Sequence, residues 1–186
     1  MKKWKITFNA PVTLIFGTIC VITLILNILT NGYTNQAFFM TYHSSLLSPL
    51  TWIRFFTHVL GHESVAHLVG NISYILLLGP LLEEKYGSEQ IAKIIVITAG
   101  ITGIIHYILF PATGLLGASG IVFAFILLSS ITSIKEGEIP LTFILVAVIY
   151  LGQQVYDGIF VADNIANSAH IIGGIVGAYF GFILRK

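Results

Sequence analysis

Polar residues divide the chain into six apolar runs, at residues 12–29, 65–82, 91–110, 115–134, 141–156 and 165–184. A helix needs about 20 apolar residues to cross the hydrocarbon core of a bilayer, so runs of this length predict membrane helices. The first run is longer than the ~7–15 residues of a signal-peptide core, and no small-residue cleavage site follows it. It reads as a first span, with Asn27 a tolerated interruption. The fifth run is short and ends in the polar stretch "GQQVYDG"; Pro140 stands at its start, where a missing N–H costs nothing. Residues 30–61 form a long first loop of mixed polar and aromatic character. Its segment "LLSPLTWIRFFTHVL" has the pattern of a chain lying in the membrane interface.

Composition agrees with a lipid environment. Hydrophobic residues make up 56% of the chain and charged residues 9%, against about 25% charged in a soluble domain. An all-α polytopic membrane protein follows, with residues 1–186 as a single six-span domain and no room for a soluble one. The net charge of +1 argues against a nucleic-acid partner, and the lone Cys20 allows no intrachain disulfide. With six spans, Lys2, Lys3, Lys5, Lys85, Lys93, Lys135, Arg185 and Lys186 fall on one side and Arg54 on the other. That bias predicts cytoplasmic termini.

Orientation lets depth be counted. His67 and Asn71 fall in the outer half of span two, Ser119 in the first turns of span four, and His170 about one turn into span six. All four share a layer about 10 Å below the outer surface. Polar groups at such depth face protein or water and are often functional. Each has a plainer reading. Ser119 in "GASG" could be a small packing residue, and His170 a satisfied core histidine. His67 and Asn71 could be a hydrogen-bonded pair worth only about 0.6 kcal/mol. Their shared depth tips the balance toward chemistry. Gly173, Gly174, Gly177 and Gly181 follow His170 on its own helix face, and Gly117, Gly120 and Ala124 give a small surface beside Ser119. Two small faces let helices approach closely.

A serine hydroxyl becomes a useful nucleophile when a base takes its proton, and His170 is the histidine placed for that. Asn71, His67 and the first N–H groups of the serine's helix can serve a developing oxyanion. No acid stands near enough to complete a triad: Asp157 and Asp163 lie in the outer loop, Glu63 near the outer surface, and Glu83, Glu84, Glu89, Glu136 and Glu138 on the inner side. The sequence therefore proposes a Ser–His dyad, with the histidine oriented by packing. Turnover is expected to be slow, since loss of the aspartate costs about 10⁴ in a soluble triad enzyme. A zinc reading of "HESVAH" fails, because His62 and His67 are five residues apart and point about 140° away from each other on a helix.

At these residues the chain resembles the rhomboid family of intramembrane serine proteases. "GASG" around Ser119 is similar to its GxSG nucleophile motif, and "AHIIGGIVG" to its AHxxGxxxG helix with His170 as base. "HESVAHLVGN" is similar to its H-x4-H-x3-N pattern, with His67 and Asn71 at the oxyanion site. The resemblance implies a six-helix bundle with a partly membrane-embedded first loop. It implies structural roles for Arg54 and His62 in holding that loop, for Glu83 and Gly87 at the inner end of span two, and for Phe123 packing on the histidine. Gly117, Gly120, Gly173, Gly174 and Gly177 would support the site. It implies transmembrane-helix substrates that unwind into a water-filled cavity past span five, near the outer leaflet, and neither metal nor cofactor. A minimal bacterial plasma-membrane form is expected, without an added N-terminal domain or seventh span. One departure is "WIR", where Trp52 stands one position earlier than the family's usual Trp-Arg pair. The alternatives are a catalytically inactive relative that binds membrane proteins in quality control, and a small channel or transporter. Retention of both Ser119 and His170 counts against the first, and the lack of paired broken helices against the second.

Overall fold

A computed structural model describes residues 6–131, 138–160 and 167–184. The described residues are helical apart from connecting loops and one isolated antiparallel bridge, Thr41 with Leu115. The helices are α1 (Pro11–Leu29), α2 (Pro49–Thr57), α3 (Val65–Tyr86), α4 (Ser88–Leu109), α5 (Ser119–Ser130), α6 (Leu141–Val146), α7 (Gly152–Phe160) and α8 (Asn167–Ile183). A wide π-helical turn, Ala147–Leu151, joins α6 and α7 into one rod. Four segments, α1, α3, α4 and Leu141–Phe160, are long and apolar enough to cross a membrane; α5 and α8 are apolar but shorter. Of the basic residues behind the expected orientation, Lys2, Lys3, Lys5, Lys135, Arg185 and Lys186 lie outside the described residues, as do Glu136 and Asp163.

Local chemistry fixes the ends. Pro11 opens α1, and the Ser64 hydroxyl caps α3 by accepting the His67 N–H at 3.1 Å. Gly87, at φ 85°, closes α3 in a conformation that a side chain would strain, and α4 begins at the next residue. Glu83 pins this corner between α1, α3 and α4. Its carboxylate accepts from the N–H groups of Val12 and Thr13 at 2.9 and 3.0 Å, and from the Thr13 and Ser88 hydroxyls at 2.8 and 2.7 Å. One anion thus satisfies the open N-terminus of α1 and ties α1 to α3 and α4.

Large apolar side chains such as Leu29, Val65, Leu77, Ile108 and Val148 face outward, as expected where the surroundings are lipid. The exception is α5, which is buried on nearly every side and forms the centre of the bundle. Its 12 residues span only about 18 Å of a hydrocarbon core about 30 Å thick. Residues 115–118 open the apolar run but are not helical, and Ser119 stands at the helix N-terminus. Irregular backbone within a membrane protein is tolerated only where protein or water satisfies it. Here Leu115 exchanges both backbone hydrogen bonds with Thr41, at 2.9 and 2.8 Å, and the Gly117 N–H donates to the His58 carbonyl at 2.9 Å. Both partners belong to the first loop, which is therefore the scaffold for the chain ahead of Ser119. Arg54 is buried in that loop; its carbonyl accepts the Thr41 hydroxyl at 2.6 Å and its guanidinium lies over the Tyr42 ring.

α5 and α8 meet backbone to backbone. A methyl on Gly173 would overlap the Gly120 carbonyl, and one on Gly177 the Ala124 carbonyl. The fifth rod is the opposite case, with no buried residue along its length. It leans on α8 through Leu151, which fills the space a Gly174 side chain would need. The polar stretch expected to end the span at residue 156 is helical and continues to Phe160.

Candidate functional site

The glycine seam decides what lies where α5 and α8 begin. Ser119 is the first residue of α5, and His170 lies in the first turn of α8. Their side chains meet, with Ser119 Oγ 2.7 Å from His170 Nε2. The imidazole stacks flat on Phe123, at 4.5 Å between centroids and 5° between planes, and Tyr150 abuts Phe123 edge-on. The other ring nitrogen, Nδ1, lies 2.6 Å from the side-chain oxygen of Gln154 on α7.

The second cluster comes from the first loop and α3. His62 Nδ1–H donates to the Leu60 carbonyl at 3.2 Å, which leaves Nε2 as an acceptor for the Asn71 amide at 3.1 Å. Burial pushes the His62 imidazole down to about 4, so it is neutral at pH 7 as an acceptor must be. That bond uses one Asn71 N–H and fixes the direction of the other. His67 packs edge-on against His62 at 5.1 Å. Its ring occupies the space that a side chain at residue 117 would need, 2.7 Å from that position, with Asn71 Nδ2 at 3.7 Å. Gly117, at φ 116°, is doubly required there, by backbone conformation and by space.

The two clusters meet around the start of α5. The N–H groups of Ile121 and Val122 return to the Ala118 carbonyl, so those of Ser119 and Gly120 are left over by the helix itself. Serine, histidine, an oriented amide and a helix N-terminus together make an arrangement suited to acyl transfer. A cleft of about 330 Å³ opens beside it, lined by Tyr74, Val122, Phe123, Tyr150, Gln153 and Gln154. A larger groove of about 590 Å³ between α4 and α8 is lined almost wholly by aliphatic and aromatic side chains and lies away from these groups.

Of the residues singled out from sequence, Ser119, His170, Phe123, Gly120 and Gly173 converge at one point, and His62, His67, Asn71 and Gly117 at the adjoining one. Arg54 supports the loop behind them, Gly174 and Gly177 continue the seam along α8, and Glu83 acts at the far end of α3. Two residues were missed. His58 holds Gly117 through its carbonyl, while its ring contacts the Arg54 carbonyl and the Thr102 hydroxyl, each at 3.3 Å. The sequence pattern puts Gln154 in a polar span end; a glutamine that continues a membrane helix needs a polar partner, and that signal could have found it.

Comparison with known proteins follows the same direction. The family model for the rhomboid domain matches residues 49–186. Rhomboid protease GlpG of Haemophilus influenzae is 25% identical over 183 residues, covering 96% of this chain and 93% of that protein. Rhomboid protease GluP of Bacillus subtilis is 29% identical over 177 residues, 90% of this chain but 33% of that protein. Rhomboid protease GlpG of Salmonella paratyphi A is 28% identical over 177 residues, with 93% and 63% covered. The chain thus spans nearly the whole of the first relative and less than two thirds of the other two.

Proposed function

The chain belongs to the rhomboid family and is an integral membrane protein, and we propose that it is an intramembrane serine endopeptidase working through Ser119 and His170. The observation that carries this reading is the 2.7 Å contact between Ser119 Oγ and His170 Nε2 at the half-buried start of α5. His170 takes the hydroxyl proton as Ser119 attacks the scissile carbonyl, then returns it to the leaving amine. The oxyanion is received by Asn71, His67 and the N–H groups of Ser119 and Gly120. Water arriving at the same layer hydrolyses the acyl-enzyme, with His170 again as base. Phe123 keeps the imidazole in plane.

The apolar length available supports a single domain of six spans, with α5 and α8 short because the protein rather than lipid surrounds α5. In this reading the termini are cytoplasmic and the membrane is a bacterial plasma membrane. The substrates are transmembrane helices, cleaved near the outer leaflet after passing the cleft beside the fifth rod. A catalytically inactive membrane-protein binder is the competing reading; the closed contact between Ser119 and His170 disfavours it.

The test is labelling of the purified protein by a fluorescent fluorophosphonate, alongside Ser119→Ala and His170→Ala. Labelling of the wild type that is lost in both variants is the expected result. A folded wild type that neither labels nor cleaves a transmembrane peptide in liposomes would overturn the assignment.

A further inference from the structure

A neutral imidazole carries one ring proton, and its position decides whether the ring can act as a base toward Ser119. Only the tautomer protonated on Nδ1 has a lone pair on Nε2 for the serine proton. The flat contact with Phe123 fixes the plane of the ring but cannot choose this tautomer. A ring turned over within the same plane would stack equally well, with a carbon where Nδ1 now stands. Something must engage Nδ1 itself, and Gln154 does so, with its side-chain oxygen 2.6 Å away.

Resting on the catalytic reading above, we propose that Gln154 is a positioning residue, whose side-chain carbonyl accepts the Nδ1 proton of His170 and so holds Nε2 ready for Ser119. It stands where a soluble triad enzyme places its aspartate, with one physical difference. A carboxylate also stabilises the imidazolium formed in the transition state; a neutral amide orients the ring and contributes far less charge. The helix surface around Gln154 separates its role from that of its neighbour. Gln153 is exposed and bonds to Asp157 along α7 at 2.8 Å, whereas Gln154 reaches across to another helix. A primary amide in a membrane helix is costly unless it is bonded, and among the described residues the contact with His170 meets that need. The orienting partner of the histidine is therefore an amide and not an acid.

The test compares fluorophosphonate labelling rates across pH for the wild type, Gln154→Met and Gln154→Glu. The methionine variant keeps length and removes the acceptor. Its rate is expected to fall by between about tenfold and the roughly 10⁴-fold that a wrong tautomer costs a soluble triad. The glutamate variant restores an acceptor and adds charge. It should recover much of the rate, with the acidic limb of its profile moved to higher pH, because a carboxylate at Nδ1 favours the protonated imidazole. Wild-type labelling with an equally fast methionine variant would overturn the positioning role while leaving the catalytic reading intact. So would a glutamate variant that is as slow as methionine with an unmoved acidic limb. Should the methionine variant fail to fold, the glutamate profile alone decides between these outcomes. Absence of labelling in the wild type is a separate failure, that of the catalytic reading.

Discussion

Gly173→Ala puts the glycine seam to a quantitative test. Alanine is the better helix former by about 1 kcal/mol, so on propensity alone the change should stabilise α8. The packing says otherwise. The new methyl would lie 2.9 Å from Gly120 Cα and 2.7 Å from its carbonyl carbon, and would overlap the carbonyl oxygen. Bringing even the carbon out to an ordinary 3.4 Å requires the helices to part by about 0.7 Å, and the oxygen requires more. No rotamer offers relief, because the obstructing atoms are backbone. Overpacking of this kind costs about 1–3 kcal/mol, or about 2–4 °C of melting midpoint per kcal/mol in a chain of this size. Function should suffer more. Gly173 is one turn from His170 and Gly120 adjoins Ser119, so the parting falls where the pair meets. A misplacement near 1 Å can cost about 10² in rate. The assay is thermal unfolding in detergent together with the fluorophosphonate labelling rate, with Gly70→Ala as comparison. At Gly70 a methyl meets nothing within 4 Å, so that variant should keep its rate and its midpoint or improve the latter. Gly173→Ala with an unmoved midpoint and a labelling rate within about threefold of wild type would refute the reasoning.

Two further outcomes follow from the same geometry. Phe123→Leu removes the stack under His170 and should slow labelling by about 2–10-fold, from a stacking energy of about 0.5–1.5 kcal/mol; a loss beyond about 10²-fold would mean that Phe123 does more than hold the ring. Burial pushes both His58 and His62 down to about 4, below the 6.5 of an exposed histidine. Between those values the unfolded chain binds protons that the native one refuses. Stability is therefore fully present above pH 6.5 and falls as pH drops toward 4, by on the order of 3 kcal/mol per histidine at the limit. A melting midpoint that stays level or rises over that range would contradict their burial in neutral form.

Much of the helical architecture could be read from the chain because apolar length is a strong signal in lipid. The starts and ends were read less well. The apolar run that holds α5 begins at residue 115, but the helix begins at Ser119, because bonds to Thr41 and His58 hold residues 115–118 in another conformation. Those bonds join positions more than fifty residues apart, which no local pattern encodes. The nearness of Ser119 to His170 was legible for a different reason. Glycine spacing reports how closely two helices can approach, and that distance governs the pair. Gln154 was not legible, because a glutamine beside "VYDG" has the pattern of a span end and its contact with His170 joins two separate helices.

The wide turn at Ala147–Leu151 has a consequence for how chains of this kind are compared. An α-helix advances about 100° per residue, and a π turn carries one residue more than an α turn would over the same rise. All that follows it is rotated by about that angle relative to an uninterrupted helix. Leu151 ends the turn against Gly174, and Gln154 against His170, three residues on, belongs to this second phase. Deleting one residue within the turn would restore ordinary winding and swing Gln154 toward lipid, with every atom of Ser119 and His170 untouched. In a relative without the extra residue, the group that faces the histidine would occupy a different alignment column. The acceptor is inherited as a direction on a helix, and has to be sought by face.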